Sequence, residues 1–146
     1  FEPGGMGVFD PGINALSILT EILPAPVHLK KAVLKFPENR QTPIAADLWF
    51  SGGVTAAFDW LKQGEQVWEM TIQAGDDQVR LLEGGNVCVI NGRAVDGTVL
   101  EEYPALYQRM ARLVHDRAVD VDLAPMVHVA DALTLGRREI VAPFVF

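Results

Sequence analysis

The chain has few cysteine and basic residues, on which several classes of protein depend. Cys88 is its single cysteine and lies in an apolar run, which excludes a disulfide framework and a thiolate metal site. The 12 basic residues are scattered and outnumbered by 19 acidic ones, so the net charge is −7. This charge argues against a groove that binds nucleic acid and against binding to an anionic membrane surface. No apolar run approaches the roughly 20 residues of a membrane-spanning helix.

Motifs of common catalytic and cofactor sites are absent as well. The three histidines, His28, His115 and His128, share no ligand spacing, so we expect no metal site and a core position for His128. Ser17 lacks the Gly-x-Ser-x-Gly context of a nucleophilic serine. The segment at 5–10 almost matches Gly-x-Gly-x-x-Gly, but no strand precedes it and a carboxylate replaces the third glycine. We therefore expect this chain alone to bind no dinucleotide.

The chain begins at Phe1 and enters directly into Glu-Pro-Gly-Gly, with no charged-then-apolar leader. We expect a piece of a longer polypeptide, located in the cytoplasm. Its 146 residues, 49% of them hydrophobic, suffice for a single domain spanning 1–146 with its own core.

Apolar periodicity and turn residues predict three helices and seven or eight short strands. The first helix spans 10–23, with Asp10 as N-cap, Pro11 as first helical residue, and Pro24 and Pro26 as stop. Strands are predicted at 27–36, 44–50, 54–60, 67–73, 78–82, 87–90, 93–95 and 140–144. Asn91-Gly92 is a type I′ turn signal. The apolar spacing between Tyr103 and Val114 indicates a second helix. A third spans 123–135, with Asp122 as cap and Gly136 as stop.

This order indicates an α+β fold, a largely antiparallel sheet with helices on one face. Three helices cannot cover all the large apolar side chains of the strands, namely Trp49, Phe58, Trp60, Trp68 and Leu81. We infer that part of the sheet faces another domain or a second subunit.

Two polar side chains meet at the start of the first helix. Asn14 lies one turn beyond Asp10 on the same face, beside the positive end of the helix. The pair suits a polar small molecule, although Asp10 also suits a helix start where it only caps. Asn14 is a mediocre helix former and favours the binding interpretation.

The motif at 4–19, Gly-Gly-Met-Gly-Val-Phe-Asp-Pro-Gly-Ile-Asn-Ala-Leu-Ser-Ile-Leu, resembles the glucose-fructose oxidoreductase/inositol dehydrogenase (Gfo/Idh/MocA) family. The similarity is to its bacterial aldose 1-dehydrogenases of the D-galactose and L-arabinose type. Further matching motifs cover the rest of the chain, at 36–40, 43–48, 58–60, 83–85, 102–107 and 119–125.

The resemblance implies a C-terminal domain with a large sheet like that of glyceraldehyde-3-phosphate dehydrogenase, an open sheet face for dimerisation, and an N-terminal Rossmann domain absent from this chain. It implies that Asp10 is the active-site aspartate and that Asn14 orients the sugar. The implied reaction oxidises an aldopyranose at C1 to its lactone with NAD or NADP. Trp68 is our choice for the aromatic residue that stacks on the sugar. The alternative is a non-catalytic ligand-binding or dimerising module.

Overall fold

The computed structural model describes residues 5–61, 64, 69–95, 97 and 102–145. The chain divides into two compact units, one formed by 1–62 with 121–146 and the other by 63–120. The helices are α1 (Phe9–Ile22), α2 (Glu102–Asp116) and α3 (Ala124–Leu135). The strands are β1 (Leu29–Pro37), β2 (Ala45–Phe50), β3 (Thr55–Asp59), β4 (Glu69–Ala74), β5 (Asp77–Leu82), β6 (Val87–Ile90), β7 (Arg93–Ala94) and β8 (Arg137–Val141).

The first unit is a four-stranded sheet in the order β3-β2-β1-β8. β1 pairs antiparallel with β2, β2 pairs antiparallel with β3, and β8 joins β1 in parallel at the sheet edge. Because side chains alternate along a strand, Ala32, Leu34 and Phe36 of β1 share one face and form a core with α1 and α3. The opposite face carries charge, since Lys35 pairs with Asp47 at 3.5 Å.

The second unit is a four-stranded antiparallel meander in the order β4-β5-β6-β7, together with α2. Asn91 and Gly92 both have positive φ, 50° and 77°, as a type I′ turn requires. The Asn91 side chain strengthens this turn, because its Oδ1 accepts the Gln78 N–H at 2.8 Å and its Nδ2 donates to Asp77 Oδ1 at 2.7 Å.

Most of the predicted elements are confirmed, and the α+β class with them. Three details are wrong: the cap of α1, treated below; the cap of α3; and the bounds of the last strand. Leu123, not Asp122, is the N-cap of α3, although Asp122 Oδ1 accepts the Ala124 N–H at 2.9 Å. The last strand is Arg137–Val141, not 140–144, and it pairs in parallel. Among the described residues, no helix is long and apolar enough to cross a membrane.

Candidate functional site at the start of helix α1

The entry into α1 is fixed by a close contact between two backbone segments. Gly7 is buried with a φ of +59°, and the neighbouring Val8 N–H donates to the Pro43 carbonyl at 2.8 Å. A Cβ atom on Gly7 would overlap that carbonyl oxygen. Only glycine combines this backbone conformation with this approach, so Gly7 sets where α1 begins.

Asp10 is not the N-cap that the sequence predicts. α1 begins at Phe9, and its N-cap is Val8, without a side-chain cap hydrogen bond. The N–H groups of Phe9 and Asp10 donate instead to the carbonyls of Met6, at 3.2 Å, and Gly7, at 3.0 Å. Because the carbonyls of the preceding turn accept these N–H groups, the Asp10 carboxylate does not cap the helix. It makes no hydrogen bond or ion pair to any residue that the structure describes.

The orientation of α1 leaves Asp10 and Asn14 exposed. Phe9, Gly12 and Leu16 are buried toward the sheet, whereas Asp10 and Asn14 point to solvent one helical turn apart. The structure therefore brings this predicted pair to one accessible face, in the first turns of the helix. The positive end of the helix dipole lies there and attracts negative charge.

A cavity of about 180 Å³ lies at the start of α1, and neither Asp10 nor Asn14 lines it. Its lining residues come from the start of α1 and the end of β3: Val8, Pro11, Gly12, Ala15, Phe58, Asp59 and Trp60. Gly12 permits the contact, since a Cβ there would meet the Phe58 ring at 3.2 Å. Phe58 also packs edge-on against Phe9, with ring centroids 5.9 Å apart.

The segment at 43–44 brings Trp60 to the same cavity. While the Pro43 carbonyl accepts the Val8 N–H, the Ile44 carbonyl accepts the Trp60 N–H at 3.0 Å. The neighbouring Asp59 accepts the Leu61 N–H at 2.8 Å through its side chain, which shapes the turn after β3. Sequence reasoning assigned Trp60 only to a possible subunit contact. The Phe-Asp-Trp motif at the end of a predicted strand was the available signal.

The other residues singled out from the sequence lie elsewhere. Trp68 is outside the described residues. His128 is in the core as predicted, 5% exposed, and burial lowers the pKa of its imidazole below the ordinary range. His28 and His115 are exposed. No group of three or more potential ligands suited to a metal ion occurs among the described residues.

Comparison with solved structures identifies a class of protein by its fold. The fold is shared with a variant of KijD10, a 3-ketoreductase from Actinomadura kijaniata crystallised with TDP-benzene and NADP. The TM-score is 0.69 at 16% identity, covering 95% of this chain and 50% of that one. No family model matches the chain.

Within this class, the chain is similar to galactose 1-dehydrogenases. It is 41% identical to the galactose 1-dehydrogenase of Pseudomonas fluorescens over 96% of its own length and 47% of that protein. It matches the crystal structure of D-galactose-1-dehydrogenase from Rhizobium etli with a TM-score of 0.88 and 49% identity, over 97% of this chain and 47% of that one. The resemblance found in the motifs is thus confirmed, and the chain spans about half the length of these relatives.

The described residues at the start of α1 do not fit the phosphates of a dinucleotide. The segment that feeds α1 is buried against Pro43 at Gly7, and the first helical turn carries the exposed carboxylate of Asp10. A dinucleotide site instead offers a glycine-rich turn after a strand, with free N–H groups at a helix start. A carboxylate at that place repels a pyrophosphate.

Proposed function

We propose that this chain is the sugar-binding domain of an NAD(P)-dependent aldose 1-dehydrogenase that oxidises an aldopyranose of the galactose or arabinose type to its lactone. The dinucleotide is held by a separate N-terminal domain, and this chain alone is inactive. One observation carries the proposal: the Asp10 carboxylate is free of any capping bond and lies one turn from Asn14 on the exposed side of α1, and their chain neighbours Pro11 and Ala15 line a cavity together with Trp60. The similarity to galactose 1-dehydrogenases supports it.

The reaction needs a group that accepts a proton from the sugar. Oxidation at C1 removes a hydride from carbon and a proton from the anomeric hydroxyl, and the nicotinamide takes the hydride. Asp10, or a lysine of the other domain, accepts or stabilises the proton as a positioned base. Asn14 takes up no proton, but its amide donates to and accepts from sugar hydroxyls, so it orients the ring.

The apolar face of the sugar needs an aromatic surface. Trp68 stays our sequence-based proposal for that role. Trp60 is a second candidate, because it is 39% exposed and lines the cavity beside α1. An indole combines a broad apolar face with an N–H donor, which suits a ring with C–H groups on one side and hydroxyls on the edge.

Replacing Asp10 in the full-length enzyme tests the proton acceptor. We expect Asp10→Ala to lower kcat/KM by about 10²–10⁴-fold, the usual contribution of a positioned acid or base. Because Asp10 does not cap α1, the melting temperature should stay close to that of the parent. Glu21→Ala is the matched control, an exposed carboxylate near the other end of the same helix. Unchanged turnover with a lowered melting temperature would show a structural role instead.

Replacing Asn14 tests the binding role separately. We expect Asn14→Ala to weaken sugar binding by about 1–3 kcal/mol, because a hydroxyl of the bound sugar loses its partner. The effect should appear mainly in KM, with kcat changed less. Ser17→Ala, on the same exposed side of α1, should leave both constants unchanged. An Asn14→Ala enzyme with parental KM contradicts the assignment.

The alternative is a non-catalytic ligand-binding or dimerising module. The start of α1, which does not fit a dinucleotide, favours it, as does the exposed apolar surface discussed below. Calorimetric titration separates the two functions. Galactose binding that Asp10→Ala and Asn14→Ala both weaken supports the dehydrogenase, whereas association without any sugar binding supports the module. We place either protein in the cytoplasm.

A further inference from the structure

A larger cavity lies at the other end of α1, inside the first unit. It has a volume of about 480 Å³. Its lining residues come from the end of α1, the following loop and the first turns of α3: Thr20, Leu23, Pro24, Ala25, Pro26, Val27, His28, Ala124, Val127 and His128. Since a helix rises 1.5 Å per residue, Leu23 lies roughly 20 Å along α1 from Asp10. The cavity is therefore separate from the candidate sugar site, and its volume suits a small organic ligand.

The walls of this cavity are fixed before any ligand binds. The Leu23 N–H donates to the Leu19 carbonyl at 3.2 Å and ends the helix, and two prolines restrict the loop that follows. The far end of the loop is held by His28, whose N–H donates to Ser51 Oγ at 2.9 Å and whose carbonyl accepts the Ser51 N–H at 2.8 Å. A preformed cavity loses little entropy when it is filled.

His128 supplies a buried polar atom that lacks a hydrogen-bond partner among the described residues. Its side chain is 5% exposed, packs edge-on against Phe50 with ring centroids 5.0 Å apart, and contributes to the cavity lining. Its Nδ1 is buried and has no hydrogen-bond partner among the described residues. Such an atom destabilises the fold when it stays unpaired, and a bound group that reaches the imidazole would recover part of this loss.

The charges around the cavity restrict the kind of ligand. Asp122 is already engaged, since its Oδ1 accepts the Ala124 N–H at 2.9 Å and its Oδ2 accepts the Thr20 hydroxyl at 3.5 Å. This carboxylate repels an anion. A cation finds no free carboxylate among the described lining residues, which are mainly proline and aliphatic side chains.

We propose that this cavity binds a small uncharged molecule that carries a hydroxyl group on a compact apolar ring. The ring packs against Pro24, Pro26 and Val127, and the hydroxyl hydrogen-bonds to the imidazole of His128. The proposal goes beyond the proposed function and does not depend on it, because the two sites share no residue.

Phenol is the probe that tests the cavity. Titration of the isotope-labelled chain with phenol should give saturable shifts of the His128 ring and the Val127 amide. Ala124→Phe fills the cavity mouth and should abolish these shifts, whereas Ala130→Phe, an exposed position of α3 outside the lining, should preserve them. No saturable shift, or equal shifts in the Ala124→Phe protein, would overturn the proposal.

Toluene, which lacks the hydroxyl, tests the role of His128. We expect phenol to bind about tenfold more tightly than toluene in the parent chain, and His128→Phe to remove that difference. If His128→Phe does not fold, the comparison of the two probes in the parent decides. Equal affinity for phenol and toluene in the parent would contradict the hydrogen bond to His128.

Discussion

At the scale of single residues, His128 is the side chain whose charge state the fold constrains most clearly. Burial lowers the pKa of its imidazole, and the positive charge that His28 can carry acts in the same direction. Asp131 and Asp122 oppose this effect without overcoming it. The folded protein therefore holds the imidazole neutral at pH values where the same residue in the unfolded chain is already protonated.

This difference makes stability depend on pH in a defined direction. Above the ordinary histidine pKa of about 6.5 the imidazole is neutral in both the folded and the unfolded chain, and its titration does not reduce the free energy of unfolding. As the pH falls below that value toward the folded-state pKa, the unfolded chain takes up a proton and the free energy of unfolding decreases. We expect the free energy of unfolding to fall over this range by at most about 1.4 kcal/mol per pH unit from this one group. Urea unfolding at several pH values measures it.

The matched variants isolate this contribution from that of the carboxylates. His128→Phe should remove the histidine component of the pH dependence, because no group then titrates at that site. His115→Gln, at an exposed position of α2, should keep it. The same pH profile in the parent and in His128→Phe would show that His128 contributes nothing to it.

At the scale of elements, the position of α1 depends on Gly7. Gly7→Ala combines a left-handed backbone with overlap on the Pro43 carbonyl, whereas Gly53→Ala has a similar φ of +78° and open space around it. We expect about 1 kcal/mol of destabilisation at Gly53 from the backbone alone. Gly7→Ala should lose distinctly more. Equal losses in thermal unfolding would mean that α1 shifts freely and that the contact with Pro43 does not position it.

The elements also show what local sequence can and cannot predict. The apolar spacing of α1 and the Asn91-Gly92 turn were predicted correctly, because each depends on neighbouring residues alone. The cap of α1 was not, because the distant Pro43 carbonyl accepts the Val8 N–H and fixes the turn before Phe9. The parallel pairing of β8 with β1 likewise joins distant segments.

In the candidate site, too, features within one element could be predicted and contacts between elements could not. The Asp10–Asn14 pair was visible from helical spacing, since both side chains belong to one helix. The cavity beside it was not, because it forms only when Ile44 and Pro43 hold Trp60 and Val8 next to each other. A single sequence shows which residues share an element and much less about which elements meet.

At the scale of the whole molecule, exposed apolar surface indicates association. Trp49 is 36% exposed on the charged face of the first sheet, with the Lys31 ammonium 4.6 Å from its ring centroid. α2 contains no buried side chain among its described residues. Its exposed apolar residues recur at helical spacing: Tyr103, Leu106, Tyr107, Met110 and Val114. Such a stripe is typical of a helix that packs against a partner.

We therefore expect the chain to self-associate, as the sequence also predicted for the open sheet face. A specific contact should bury at least about 1,000 Å² in total. In sedimentation experiments, Trp49→Lys tests the sheet face, with Ser17→Lys on the solvent side of α1 as its control. Met110→Lys tests α2, with Gln108→Lys as its control. The variant that dissociates identifies the contacting surface. A strictly monomeric parent at tens of micromolar contradicts the prediction.

The last prediction concerns the activity of the chain alone. Because the segment before α1 is packed against Pro43 and followed by the Asp10 carboxylate, the start of α1 offers no dinucleotide cradle. We expect the pure 146-residue chain to form no NADH or NADPH with galactose or arabinose, even where it binds the sugar. The absorbance of reduced nicotinamide measures this, with a polypeptide that also carries a dinucleotide-binding domain as the positive control. Steady formation of reduced nicotinamide by the pure chain would contradict the proposal that a separate domain holds the dinucleotide. Asp10→Ala would then show whether that activity depends on the Asp10 carboxylate.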